Sequence, residues 1–153
     1  MSYKKVDSES DLFGNGIRSL GVRPGDKICL FADTRAEWLV SAIGCFKNRI
    51  AVCTIYTNLG DEGIIHGITQ TQVSTVVTSL ELLPKLLAVR DKLEHLKTII
   101  YFDSTIRDSP KENSVEGMDL CSYSRVLELG SEARHEAVTP GPDDTAIIMY
   151  TSG

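Results

Sequence analysis

Apolar residues along this chain gather in short runs, and the stretches between them carry a helical period. The runs are 27–32 (KICLFA), 50–56 (IAVCTIY), 73–79 (VSTVVTS), 98–102 (TIIYF) and 145–150 (TAIIMY). Ile and Val dominate them, and several are apolar at successive positions rather than alternate ones. That pattern suits strands covered on both faces, as in a parallel sheet between helix layers. Val6, Phe13, Ile17 and Leu20 recur at helical spacing, with Gly21 as a C-terminal stop and the turn Arg23-Pro24-Gly25-Asp26 after it. Asp33 or Thr34 is placed to cap a helix over 35–47, with Trp38, Ala42, Cys45 and Phe46 on one side. Asp61 precedes a shorter helix carrying Ile64, Ile65 and Ile68, and 80–96 predicts a third with Pro84 in its first turn.

A helix in each gap between the first four strands is the rhythm of βαβ units, whose right-handed crossovers cover a sheet. The rhythm then breaks. Residues 104–121 are polar and contain Pro110, Asn113 and Gly117, which predicts a surface loop. Residues 122–133 predict one more helix, with Tyr123, Val126, Leu127 and Leu129 apolar, before the stiff turn Thr139-Pro140-Gly141-Pro142-Asp143-Asp144. No internal repeat or domain boundary is visible. The expected fold class is α/β, with repeated βαβ units forming a mostly parallel sheet flanked by helices.

Composition narrows the function classes. The chain has 153 residues, 42 % hydrophobic and 24 % charged, enough for one domain with a core and against general disorder. A net charge of -5 gives no basic surface for non-specific nucleic-acid binding. No run approaches a membrane span, and the first residues lack the apolar stretch of a signal peptide, so a cytosolic setting is the default expectation. Cys29, Cys45, Cys53 and Cys121 form no C-x-x-C pair and stand apart from His66, His95 and His135. Zinc-ligand spacing is absent; reduced, structural thiols are expected.

Candidate chemistry concentrates at the end of the chain. A buried strand running into Thr151-Ser152-Gly153 has a physical use. Hydroxyl residues and glycine let backbone approach a polyphosphate and offer it N–H and O–H donors. Taken alone, the tripeptide fits an ordinary turn as well. Elsewhere packing explains the residues adequately: Trp38 as helix-face packing, His66 as a hydrogen-bonded structural residue, His95 as a helix-end residue. Asp143 and Asp144 suit turn capping better than paired acid–base work, because neighbours in an extended segment point apart. Asp33 follows the first strand, where open α/β sheets place ligand contacts, but capping is its favoured use. Gly14-Asn15-Gly16 follows no strand, so it is not a dinucleotide fingerprint.

The run P-x-D-x-A-x-I-x-Y-T-S-G over 142–153 resembles the lead-in to the phosphate loop of the adenylate-forming superfamily. Upstream, Arg35-Ala36-Glu37-Trp38, then Cys45-Phe46-Lys47, then Thr54-Ile55-Tyr56-Thr57-Asn58-Leu59-Gly60 resemble the early catalytic domain of long-chain fatty-acid–CoA ligases. The likeness runs from about Tyr3 to Gly153, is strongest for the animal polyunsaturated-preferring subclass, and is least over 104–136. It implies that residues 1–153 are a partial N-terminal AMP-binding domain, cut within the phosphate loop, of an ATP-dependent ligase. It further implies ATP, Mg2+ and CoA as cofactor and co-substrates, a long-chain fatty acid as substrate, and Thr151, Ser152 and Gly153 as phosphate-binding residues. A membrane-associated parent on the cytoplasmic side, at the endoplasmic reticulum, also follows from the resemblance. The isolated chain is expected to be inactive and prone to self-association. The competing expectation is a stand-alone doubly wound domain that binds a nucleotide or a partner without catalysis.

Overall fold

The computed structural model describes residues 1–104, 108, 110, 114–115, 117–136 and 138–150. The elements in chain order are α1 (Tyr3–Ser19), β1 (Lys27–Phe31), α2 (Ala36–Phe46), β2 (Ala51–Thr54), α3 (Asp61–Thr71), β3 (Thr75–Ser79), α4 (Leu83–Ala88), a short 3-10 turn (Arg90–Lys92) and β4 (Thr98–Phe102). They continue as β5 (Ser114–Val115), β6 (Met118–Ser122), α5 (Tyr123–Glu132) and β7 (Ile147–Met149). The strands form one sheet in the order β5-β6-β4-β3-β1-β2-β7, parallel throughout except for the antiparallel pair β5–β6. The expected α/β class and mostly parallel sheet are therefore observed.

Both faces of the sheet are covered, which explains why its strands read as unbroken apolar runs. In β1, Cys29 and Phe31 face the layer of α3 and α4, together with Cys53, Val76 and Ile99. Ile28 and Leu30 face the opposite layer of α1, α2 and α5, together with Val52, Val77, Ile100 and Phe102. Ile28, Leu30, Phe31, Ile99 and Ile100 are all at most 1 % exposed. Each side chain so buried contributes roughly 1.5–3 kcal/mol of transfer free energy.

Helix ends follow local chemistry where the sequence supplies it. Ser2 and Ser122 cap α1 and α5, accepting from the Lys5 and Arg125 backbone N–H groups at 3.3 and 3.2 Å. At the other end of α1, Gly21 takes a left-handed backbone (φ 97°), its N–H donates to Arg18 O, and Val22 N–H donates to Ile17 O. That is a Schellman stop, with Val22 and Ile17 buried in the same cluster.

Three expectations need correction. First, part of the expected surface loop is sheet: β6 pairs in parallel register with β4, Thr98 opposite Asp119 and Ile100 opposite Cys121. Met118 and Leu120 bury one side of it while Asp119 stays exposed. Gly117, at φ 85°, turns β5 into β6. Residues 105–107, 109, 111–113 and 116 of that loop lie outside the described residues. Second, the helix expected over 80–96 is α4 followed by a 3-10 turn. The buried residues Leu83, Leu86 and Val89 are spaced by three rather than by 3.6, and Val89 N–H donates to Leu86 O. The Arg90 guanidinium takes the Leu87 carbonyl at 2.7 Å, closing the helix end. Third, neither Asp33 nor Thr34 caps α2. Arg35 occupies that position without a side-chain cap bond, and the Asp33 carboxylate instead accepts from Thr57 Oγ1 at 2.7 Å.

Glycines set how closely the helix layer over α1 packs. A Cβ on Gly44 of α2 would stand 2.7 Å from the Ser10 carbonyl oxygen of α1. One on Gly130 of α5 would stand 2.7 Å from the Leu12 carbonyl carbon. Gly14 and Gly16 present the matching surface on α1. The Gly-Asn-Gly sequence thus serves helix-on-helix backbone contact rather than nucleotide binding.

Candidate functional site at the carboxyl edge of the sheet

Open parallel sheets present ligand sites beyond the carboxyl ends of their strands. Here that edge carries the segments after β1, β2 and β7. β7 lies outermost, in parallel register with β2: Val52 opposite Ile147, Cys53 opposite Ile148, Thr54 opposite Met149. Its entry is fixed by Asp144, whose carboxylate accepts from Gly141 N–H at 2.7 Å and from Arg49 Nε at 2.8 Å. The hydrogen bonds from Gly141 N–H and then from Arg49 hold the Asp144 carboxyl below the usual aspartate range. The turn-capping role expected for this residue is what the structure shows.

The exit of β7 is clamped by Tyr150. Its hydroxyl donates to Gln70 Oε1 at 2.6 Å and lies 3.5 Å from the Gly67 carbonyl, while its ring stands edge-on to His66 at 6.2 Å. Gly67 is needed at this joint, because a Cβ there would come within 2.7 Å of the Ile55 side chain. His66 is therefore a packing partner of Tyr150. Thr151, Ser152 and Gly153, the expected phosphate-binding residues, lie outside the described residues.

Beside this exit, a cleft of about 330 Å³ opens between the ends of β1, β2 and β7. Its walls include Ala32, Asp33, Trp38, Tyr56, Thr57 and Met149. Trp38 packs against the core cluster as expected and also lines the cleft. Thr57 ties the wall together: its hydroxyl bonds Asp33 and its carbonyl accepts from Lys85 Nζ at 2.9 Å. One strand further along the edge, Arg35 makes a two-point contact with Glu37 at 2.8 and 2.9 Å. Its guanidinium lies over the Phe102 ring at 5.1 Å. The hydrogen bond from Arg35, more than its charge alone, holds the Glu37 carboxyl below its ordinary range. The sequence marked Arg35 and Glu37 only as part of a recognisable string. The signal for their pairing was the R-x-E spacing at a helix start, but their partner Phe102 is distant in sequence.

Metal and thiol chemistry find little support in this region. Among the described residues no group of three or more His, Cys, Asp or Glu side chains is placed to hold a metal ion. Cys29, Cys45 and Cys53 are buried free thiols, and burial pushes each thiol pKa up, which keeps them inert.

Comparison with known proteins bears on this edge directly. Relatives include long chain acyl-CoA synthetase 8 of Arabidopsis thaliana, 36 % identical over 99 % of this chain and 21 % of its own length. Long-chain-fatty-acid–CoA ligase 1 of Saccharomyces cerevisiae is 30 % identical over 99 % of this chain and 25 % of its own length. Long-chain-fatty-acid–CoA ligase 5 of Rattus norvegicus is 28 % identical over 100 % of this chain and 23 % of its own length. The plant likeness exceeds the rat one, which lends the animal subclass little weight. The chain spans a fifth to a quarter of the length of these relatives. In fold, it matches an anthranilate CoA ligase solved with anthranoyl-AMP at a TM-score of 0.83, 24 % identity, over 100 % of this chain and 27 % of that one. A long-chain-fatty-acid-CoA ligase from Archaeoglobus fulgidus matches at 0.82, 18 % identity, over 99 % of this chain and 28 % of that one. The family model for AMP-binding enzyme matches residues 1–153, so this chain belongs to the AMP-binding enzyme family.

Proposed function

We propose that this chain is the part of an ATP-dependent long-chain fatty-acid–CoA ligase that delivers the opening of its phosphate loop. The observation that carries the reading is the handling of β7. The strand is registered on β2, its entry is fixed by Asp144 and its exit is clamped by Tyr150 to α3. Tyr150, the last described residue, lies at the carboxyl edge, where a parallel sheet meets its ligand. In the parent reaction a fatty carboxylate attacks the α-phosphate of ATP, releasing pyrophosphate; the CoA thiol then displaces AMP from the acyl-adenylate. Two anions must meet in the first step, so fixed donors near the phosphate oxygens lower the barrier. Thr151 and Ser152 would supply hydroxyl and backbone donors and Gly153 would permit close approach.

A magnesium ion, when bound with ATP, would neutralise phosphate oxygens. The described residues do not form a site for it, and none of the steps assigned to them passes through it. Residues 1–153 would be a partial N-terminal AMP-binding domain, inactive alone, of a parent on the cytoplasmic side of an intracellular membrane. Among the described residues no helix is long and apolar enough to cross a membrane. Self-association of the isolated chain has a structural motive: β7 is an edge strand with Ile147 and Met149 exposed at 41 % and 60 %.

A chimera provides the test. This chain would replace the matching segment of the Arabidopsis synthetase, and thioester formation from a long-chain fatty acid, ATP and CoA would be measured. The expected result is turnover by the chimera and none by the 153-residue chain. A folded chimera that binds ATP without forming thioester would favour a binding domain and overturn the reading.

A further inference from the structure

β7 is three residues long and, among the described residues, pairs only with β2, so its exit needs support from outside the sheet. Its own side chains supply little. Ile147 and Met149 are exposed, and only Ile148 packs on the cluster under α3 and α4. Tyr150, the next side chain, does more. Its ring joins the same cluster and lies over Gly67 of α3, where an added Cβ would stand 3.7 Å from Cε2. Burial raises the Tyr150 pKa above the ordinary tyrosine value, so its hydroxyl stays protonated and donates.

That donor has two acceptors within reach, and they are unequal. The Gly67 carbonyl, at 3.5 Å, already takes the Thr71 hydroxyl at 2.7 Å. Gln70 Oε1, at 2.6 Å, is the close partner. Gln70 projects from the last turn of α3, beside buried Thr71, whose hydroxyl is bonded back to Gly67 and Ile68. The acceptor is thus mounted on a fixed turn, and it holds the side chain that immediately precedes Thr151.

We infer that Gln70 is a positioning residue for adenylate formation: through its bond to Tyr150 it sets the backbone from which the phosphate loop starts. The inference rests on the ligase reading above. Gln70 touches no reacting atom and acts through Tyr150. Its effect belongs to the first step, because the CoA step begins after pyrophosphate has left and no longer needs a hold on those phosphates.

The test uses the chimera described above, with its two half-reactions measured separately. Acyl-adenylate formation is read by fatty-acid-dependent ATP–pyrophosphate exchange, and thioester formation is read from supplied acyl-adenylate and CoA. Gln70→Met keeps the side-chain length and helix propensity and loses the acceptor. It is expected to slow adenylation about three- to tenfold, the rate equivalent of one net hydrogen bond, and to leave the thioester step unchanged. Gln70→Glu keeps an acceptor oxygen and should restore most of the rate. Tyr150→Phe should match Gln70→Met, and the double variant should be no slower than either. The same cycle, read as urea midpoints of the 153-residue chain, checks the bond without any chemistry. An active chimera whose Gln70→Met variant adenylates at the unsubstituted rate, or loses both half-reactions equally, overturns the assignment. Additive losses in either cycle overturn it as well. A chimera inactive without any substitution overturns the ligase reading itself.

Discussion

Gly130 offers the sharpest test of the packing described here. Substituting alanine places a Cβ 2.7 Å from the Leu12 carbonyl carbon and 3.0 Å from Gly16 N, where ordinary van der Waals contact begins at 3.4 Å. All of these atoms are backbone, so no side chain can rotate away. Relief requires α5 to retreat from α1 by several tenths of an ångström or more. That motion loosens Tyr123 and Val126, which pack on Phe13 and Ile17. Overpacking of this kind costs about 1–3 kcal/mol, and the backbone collision argues for the upper end. Against it stands the better helix propensity of alanine, about 1 kcal/mol. The net expectation is a loss of about 2 kcal/mol. For a chain of this size that lowers Tm by about 4–8 °C. Urea unfolding is the assay, with a lower midpoint and an unchanged slope expected. Ser131→Ala, next in the helix and exposed, is the control for propensity alone and should change little. A Gly130→Ala chain as stable as the parent would refute the claim that α1 and α5 touch backbone to backbone.

Three further outcomes follow from single residues. Gly21→Ala meets open space, so its cost is torsional only: about 1–2 kcal/mol from forcing φ near 97° on an L residue, read from the melting midpoint. Tyr123→Phe removes a buried hydroxyl that has no hydrogen-bond partner among the described residues, so stability should hold or rise by up to about 1 kcal/mol; a clear loss would mean the hydroxyl is satisfied. Glu37 has a lowered folded pKa, so its pairing with Arg35 stabilises above the ordinary glutamate range, about pH 4–5, and fades as pH falls through the folded value. Glu37→Gln should therefore cost up to about 1 kcal/mol at pH 7 and progressively less as pH falls below the ordinary glutamate range, measured as urea midpoints across a pH series.

Much of the architecture was legible in the sequence because both-face burial leaves a one-dimensional trace. Five of the seven strands among the described residues stood out as apolar runs, and β4 falls on its expected residues, 98–102. β6 escaped because it buries only Met118 and Leu120, beside polar Asp119, in a stretch marked by turn residues. Its strand character comes from the free edge of β4, not from its own composition. The end of the helix expected over 80–96 was misread for a related reason: apolar spacing of three and of 3.6 differ little over so few residues.

The candidate site divides in the same way. The run leading to Thr151-Ser152-Gly153 and the Arg35-Ala36-Glu37-Trp38 string were visible because they are local patterns. The sequence by itself determined the strand–helix rhythm, the Schellman stop at Gly21 and the family likeness. These rest on neighbours within a few positions, which backbone sterics and periodic burial write directly into residue order. The tertiary structure decided everything that joins distant residues. It put Tyr150 on Gln70, Asp33 on Thr57 rather than on a helix cap, and Arg35 over Phe102. It also turned Gly14-Asn15-Gly16 into a helix-packing surface, because only the approach of α2 and α5 shows what a missing Cβ is for. Such pairings depend on strand order and layer, and a sheet that returns β7 to the side of β2 sets them through contacts nearly a hundred residues apart.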